Sequence, residues 1–450
     1  MSPIPSARAP LEVLIVAGYF PPHAPLAATR APALARFLRA RGHGVRVLAA
    51  RNQGFPAVAD HGLPPESVTW AEVAPALSLR ALARLDTSSW RALAQPADAL
   101  RRLAGWPDHQ SGWLPDALRQ GRRLIAAQRP DVILATVPPH SGLLVAESLH
   151  RASGVPWVAE FRDLWVDHPY YDGHGLRKRL DRHAERKALS TAAGLVTVTD
   201  GWRRMLAQTW PGTPVRLVRN GFEDIPGDAP AAPSPPDTPL TLVYAGVLYG
   251  DKRDPRPLFA ALARLTPEDR ARVEVHFYGS EKPAIEAMAA AHDLGEPTVT
   301  VHDAVPRDRL LALQRRADLL VLLRWDDPRE DHVLAGKLFE YIGCRRPIVS
   351  VGSTTGEAAD LIRDGGLGIV SKDPDALADH LRRRLREKTS GGVPALPEQA
   401  VHPHARTSQF DSLEALLIEV AAPSHHEASP SSTPVSPSSR GAAAPPPRSA

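Results

Sequence analysis

Leu11-Glu-Val-Leu-Ile-Val-Ala17, Gly18-Tyr-Phe-Pro-Pro22, a helical run from Thr29 to Arg41, Gly42, then Val45-Arg-Val-Leu-Ala49: these pieces, in this order, decide the fold. The first is a short apolar run closed by a glycine, the pattern of a strand buried on both faces. Thr29 can cap the helix, Pro32 fits its first turn, and Leu34, Phe37 and Leu38 share one face. Gly42 ends the helix and a second strand follows. Strand, loop, helix, glycine, strand is a βαβ unit, which implies a parallel sheet covered by helices. Such sheets bind ligands beyond the carboxyl ends of their strands. The loop from Gly18 to Thr29 is therefore placed for binding.

The alternation continues along the chain. Strands are expected at Asp131–Thr136, Val155–Ala159, Gly194–Thr199 and Val215–Val218. Helices are expected at Gly142–Ala152, Leu176–Ala193 and, capped by Asp200, as far as Gln208. Residues 65–128 give amphipathic, arginine-rich stretches with Trp70, Trp90, Trp106 and Trp113, and no clear strand. Glu160-Phe-Arg-Asp-Leu-Trp-Val-Asp167 carries four charges away from a strand's carboxyl end, where chemistry usually sits. A second series of strands and helices begins at Leu240. The division that follows is a flexible 1–10, a Rossmann-like domain 11–225, a Pro- and Ala-rich linker 226–239, and a second Rossmann-like domain 240–390. A segment 391–421 then ends in a helix (Thr407–Ala421) returning toward the first domain. The Ser, Pro and Ala tail 422–450 cannot bury a core and is expected to be disordered. The fold class is α/β: two doubly wound parallel-sheet domains facing a cleft. That architecture favours an enzyme with one substrate per domain.

Composition narrows the function. Of 450 residues, 43% are hydrophobic and 23% charged, values of a globular chain. A net charge of +4 and the lack of a base-reading motif argue against nucleic acid. A single cysteine, Cys344, excludes an intramolecular disulfide and a cysteine-cluster metal site, and fits a reducing cytoplasm. The first ten residues lack the apolar core of a signal peptide, and no run of about 18 apolar residues suggests a membrane span.

Val333-Leu-Ala-Gly-Lys-Leu-Phe-Glu-Tyr-Ile342 is the densest chemical stretch. It reads as a helix with Leu334, Leu338, Tyr341 and Ile342 buried. Gly336 and Lys337 stand near its start, where unpaired N–H groups and the dipole suit a phosphate. Glu340, a turn later, suits a sugar hydroxyl. Lys252 and Arg253 lie on a loop of the same domain and can meet a nucleotide diphosphate. Backbone N–H groups at Gly356 and Glu357, opening another helix, can add to them.

Read together, the motifs resemble the family 4 glycosyltransferases of the GT-B fold, the retaining group that uses nucleotide sugars. They are Gly18-Tyr-Phe-Pro-Pro22 with Ala28-Thr-Arg30; Pro130-Asp-Val-Ile-Leu-Ala-Thr-Val-Pro-Pro139; Glu160-Phe-Arg-Asp-Leu-Trp165; Arg219-Asn-Gly-Phe222; Tyr244-Ala-Gly-Val-Leu-Tyr-Gly250; Gly336-Lys-Leu-Phe-Glu-Tyr341; and Gly356-Glu-Ala-Ala-Asp-Leu-Ile362. The Phe-Arg-Asp-Leu-Trp and Gly-Lys-Leu-Phe-Glu-Tyr pair resembles enzymes of surface-polysaccharide and O-antigen-like synthesis.

The resemblance implies that a sugar leaves a nucleotide diphosphate with its anomeric configuration retained and joins a glycan or lipid-linked acceptor. It implies a donor site of Gly246, Lys252, Arg253, Tyr278, Val305, Lys337, Glu340, Gly356 and Glu357, with Glu340 on the ribose and the base near Tyr278 and Val305. Tyr19, Thr29, Arg30, His140 and Arg162 are expected at the acceptor. Asp163, where many members carry a histidine, joins Lys337 and Glu340 as the catalytic set. No metal or other cofactor is expected, since no Asp-x-Asp pair stands in the second domain's loops. The chain departs from the family in two places. His332 stands where the first glutamate of the Glu-x7-Glu motif belongs, and His23-Ala-Pro-Leu-Ala27 replaces a glycine pair.

Eight of the nine tryptophans fall in the first half. Arg177 to Lys187 holds six Lys or Arg against Asp181 and Glu185. Both suit peripheral contact with the inner face of a cytoplasmic membrane. Two other readings compete. An NAD-dependent oxidoreductase lacks its Gly-x-Gly-x-x-Gly after the first strand. A nucleotide-sugar-binding protein with reduced or lost catalysis would account for His332 and the missing glycines.

Overall fold

The computed structural model describes residues 9–22, 28–51, 55, 60–73, 106–108, 110–223, 234–279 and 281–422. The sequence expectations for 1–8, 23–27, the arginine-rich stretch 74–105, most of the linker and the tail lie outside the described residues.

The first domain is a seven-stranded parallel sheet of order β3-β2-β1-β4-β5-β6-β7. Its strands are β1 (Glu12–Ala17), β2 (Gly44–Arg51), β3 (Val68–Glu72), β4 (Val132–Val137), β5 (Trp157–Phe161), β6 (Gly194–Thr197) and β7 (Val215–Leu217). Among the described residues, the helices that cover it include α1 (Arg30–Ala40), α2 (Leu114–Ala127), α3 (Ser141–Ser153), α4 (Gly175–Leu189) and α5 (Asp200–Thr209). Side chains alternate across β1 with period two. Leu14 and Val16 pack on one face with α3 and α4, while Val13, Ile15 and Ala17 pack on the other with Leu34 and Leu38 of α1.

The second domain is a six-stranded parallel sheet of order β10-β9-β8-β11-β12-β13. It is built from β8 (Leu240–Ala245), β9 (Val273–Tyr278), β10 (Val299–His302), β11 (Leu319–Leu323), β12 (Ile348–Val351) and β13 (Gly368–Ser371). Its helices of eight residues or more are α6 (Arg256–Ala263), α7 (Lys282–Ala290), α8 (Arg307–Arg316), α9 (Gly336–Gly343), α10 (Glu357–Asp364) and α11 (Pro374–Thr389). In both sheets the strand order reverses at one point, beside β1 and β4 or beside β8 and β11, and opens a crevice there. The last helix, α12 (Arg406–Ala421), buries Phe410, Leu413, Leu416 and Leu417 in the first domain's core.

Local expectations need correcting at five points. β3 sits inside the stretch that gave no strand, because an edge strand of five residues is too short to show a period. Glu160 belongs to β5 rather than to the loop after it, and is fully buried. Thr29 precedes α1 but makes no capping hydrogen bond; its hydroxyl accepts from Arg406 at 2.9 Å. The cap of α5 is Thr199, whose hydroxyl accepts from the Trp202 N–H, so Asp200 is the first helical residue. Helix α9 also begins only at Gly336, with Ala335 extended before it.

Candidate active site

The residues of the second domain meet at the carboxyl ends of β8 and β11. Gly246 follows β8 with φ +140, and a Cβ there would lie 2.4 Å from the Lys337 Nζ. Only glycine allows the ammonium so close to the backbone. The same Nζ sits 4.4 Å from the centre of the Tyr244 ring. Burial and the neighbouring Arg253 bring Lys337 down to about 7, against the pull of Glu340. A half-buried amine lowered that far regains its charge when an anion approaches it. Arg253, Arg324, Glu330 and Lys337 line one narrow cavity with Leu338 and Ala358.

Glu340, one turn along α9, faces a second and wider cavity. It shares this cavity with Gly336, Arg307, Leu311, Phe222 and Arg406. Arg307 holds its carboxylate at 3.3 Å. Tyr278, at the end of β9, stacks on His302 with ring centres 4.6 Å apart. Val305 lies half-buried in the loop before α8. The first turn of α9 thus divides a narrow basic pocket from a wider one edged by a carboxylate.

Across the cleft, Asp163 follows β5 and keeps half of its side chain open to solvent. Desolvation pushes its carboxyl up, but His168, Arg162 and His140 together outweigh this and hold it below the usual range. The His168 Nε2 lies 3.6 Å from it. The His168 Nδ1 accepts the Tyr170 N–H at 3.2 Å, which leaves the proton on Nε2, facing the carboxylate. His140 stacks on Trp165 at 5.3 Å, and burial lowers its pKa against the opposing charge of Asp108. Tyr19 is pushed up to about 12 by burial and by Asp108. Arg162 donates to the Pro138 carbonyl at 2.9 Å.

Some expected site residues have other work. Arg30 is 2% exposed. It pairs with Glu160 at 2.9 Å and donates to the carbonyls of Val218 and Arg219. These contacts join β5 to the end of the first domain and commit most of the guanidinium's donors to the fold. Glu357 reaches into the first domain, where its carboxylate accepts the Asp200 N–H at 2.7 Å and the Gly201 N–H at 2.6 Å. That caps α5 from outside, and a carboxylate at a helix N-terminus is favoured by the dipole. The Glu357 N–H donates to the Asp331 carbonyl at 2.8 Å, so α10 is not free at that amide for a phosphate. Gly356, at φ +84, is held against Asp331. The Lys252 Nζ sits against both the Tyr170 and Trp325 rings, 4.8 and 4.7 Å from their centres.

These contacts bridge the cleft. Tyr170 stacks on Trp325 and donates its hydroxyl to Glu330. His332 lies against Gly201, its Nδ1 3.6 Å from Glu357. The position that should hold the family's first glutamate therefore serves the domain contact. Tyr170, Trp325, Glu330 and His168 were missed as a group. Only their apposition across the cleft marks them, and no spacing in one segment reveals it.

Two Rossmann-like domains with a basic pocket in one and a half-buried polar cluster in the other define a GT-B architecture. The chain belongs to the glycosyltransferases: residues 27–221 match the model described as Glycosyl transferase 4-like domain, and residues 239–387 match Glycosyl transferases group 1. A search of curated proteins matches none of them. Solved structures share the fold. The lipopolysaccharide outer core galactosyltransferase WaaB is 14% identical, with a TM-score of 0.56 over 91% of this chain and 99% of its own. Anabaena HepE in complex with UDP is 14% identical, with a TM-score of 0.57 over 91% and 100%. Sucrose-phosphate synthase from Thermosynechococcus elongatus is 15% identical, with a TM-score of 0.56 over 91% and 97%.

Proposed function

We propose that this glycosyltransferase moves a sugar from a nucleotide-diphosphate donor, with retained anomeric configuration, to a glycan or lipid-linked acceptor in cell-surface polysaccharide synthesis. The observation that carries the reading is Lys337, half-buried beside Arg253 and against Gly246 at a strand's carboxyl end. Its position suits the diphosphate, whose charge grows as the glycosidic bond breaks. The wider cavity with Glu340 suits the ribose, and the Tyr278–Val305 region suits the base. HepE, with the same fold, is described with UDP bound.

Asp163 faces the donor from the acceptor side, held ionised by His168, and stabilises positive charge on the sugar as the leaving group departs. Tyr19, His140 and Arg162 surround it and orient the incoming hydroxyl. Among the described residues no group of three or more His, Cys, Asp or Glu is placed to hold a metal ion. The reaction is proposed to use cations of the chain in that role, at the cytoplasmic face of a membrane. No helix of the described residues is long and apolar enough to cross one.

A thermal-shift screen against UDP-, GDP- and dTDP-sugars tests the donor site, because ligand binding raises apparent stability by mass action. One nucleotide class should raise the transition, and Lys337→Met should abolish the rise. No shift with any of them would refute the donor assignment. A nucleotide-sugar-binding protein without catalysis would pass this screen but release no nucleotide in a transfer assay.

A further inference from the structure

Tyr170 and Tyr171 are neighbours in the chain and serve different domains. The Tyr171 hydroxyl donates at 2.7 Å to Asp181 of α4, which is 1% exposed. Asp167 accepts two hydrogen bonds of 2.7 Å from Arg182 of the same helix. The segment that leaves β5 is thus fixed to the first domain on both sides of Tyr170. Tyr170 itself reaches across the cleft. Its ring stacks on Trp325 with centres 6.2 Å apart and planes at 17°, and its hydroxyl donates to Glu330. Burial and the Glu330 carboxylate push that hydroxyl's pKa up, so it stays a donor. Lys252, also of the second domain, adds its ammonium 4.8 Å from the ring centre.

The backbone of Tyr170 serves the first domain. Its N–H donates to the His168 Nδ1 at 3.2 Å. The His168 ring also meets the rings of Trp202 and Tyr170, with centres 5.9 and 5.5 Å away, and Trp202 is 3% exposed. With Nδ1 engaged as an acceptor, the proton is on Nε2, 3.6 Å from the Asp163 carboxylate. That is longer than a good N–H···O hydrogen bond, so a ring movement of about half an ångström decides whether the bond is made. One residue therefore touches the second domain with its side chain and the partner of Asp163 with its backbone.

We propose that Tyr170 is a positioning residue for sugar transfer: its docking on Trp325 and Glu330 seats His168 against Asp163. The inference rests on the role proposed above for Asp163 beside the donor sugar. With Tyr170 docked, its N–H fixes the imidazole, and the Nε2–H aims the carboxylate. With the domains apart, that N–H loses its fixed place and the imidazole turns away. The geometry for transfer is then complete only when both domains are in place, which ties the chemical step to a closed cleft. A contact that served only to hold the domains together would act on nucleotide binding and stability, not on the step that Asp163 serves.

The test compares turnover with nucleotide affinity in the full chain. Turnover is nucleotide release from the sugar donor found active among UDP-, GDP- and dTDP-sugars, with a membrane extract as acceptor source. Affinity is read by calorimetry with the nucleoside diphosphate which that donor releases. Tyr170→Ala should lower kcat about tenfold or more and leave this affinity within about threefold. Trp325→Leu, made in the other domain, should give a loss of similar size. In a His168→Ala background, Tyr170→Ala should cost less than about twofold, because the path to Asp163 is already cut. Tyr170→Phe removes only the hydroxyl and should lose about threefold. Tyr170 is 42% exposed, so both of its variants should fold, which far-UV circular dichroism checks. Full kcat in Tyr170→Ala, equal losses with and without His168, or an affinity that falls in step with kcat would each overturn the proposal. Asp163→Asn separates the two claims. Normal turnover there would sink the Asp163 reading and this proposal with it, whereas a silent Asp163→Asn beside a fully active Tyr170→Ala would sink this proposal alone.

Discussion

Replacing Lys337 by methionine separates binding from stability. Burial beside Arg253 holds the free ammonium at about 7 instead of 10.5. At about 1.4 kcal/mol per decade, this strains the folded charged state by about 5 kcal/mol. The sign follows from the direction. The folded lysine binds its proton more weakly than the unfolded one, so the strain is fully present below pH 7 and is relieved as pH rises from 7 toward 10.5. Lys337→Met should therefore raise the melting temperature at pH 6 by several degrees. A bound diphosphate reverses the balance, because its charge restores the proton. The fraction of free enzyme carrying that proton falls from about 0.9 at pH 6 to about 0.1 at pH 8. Calorimetric titration with UDP should then show the wild-type advantage over Lys337→Met narrowing about tenfold between those two pH values. The ratio of the two affinities cancels the nucleotide's own titration. A constant ratio, or a variant less stable than wild type at pH 6, would refute the reasoning.

Asp163→Asn should abolish transfer while UDP affinity stays within about twofold, read by calorimetry beside the turnover assay. Glu160→Ala strands the Arg30 guanidinium in a buried site and should cost about 3 to 5 kcal/mol in urea unfolding. Glu357→Ala removes a charged cap that spans the domains. About 1 to 3 kcal/mol of coupling should go with it, and small-angle scattering should show a larger radius of gyration. EDTA should leave turnover unchanged; a loss restored by Mg²⁺ or Mn²⁺ would overturn the metal-free reading.

The two parallel sheets were legible because strands buried on both faces read as apolar runs, unbroken in Leu319–Leu323 and interrupted only by Thr241 in Leu240–Ala245. β3 escaped because an edge strand of five residues, with Trp70 half-buried, leaves no such run. Within the site, Lys337 and Gly246 could be read from one segment each, since each sits at a strand's or helix's end. The roles of Arg30 and Glu357 could not. A charge at a loop looks alike whether it meets a ligand or a distant carbonyl, and their partners lie more than a hundred residues away in the chain. His332 shows the same limit from the other side. The motif marks the position as a departure, and only the fold shows its ring against Gly201.

The most direct test of sugar transfer is nucleotide release from a panel of UDP-, GDP- and dTDP-sugars, with and without a membrane extract as acceptor source. One donor should release its nucleoside diphosphate only when the extract is present, with Asp163→Asn and Lys337→Met both silent. No release across the panel, or release that persists in both variants, would contradict the account.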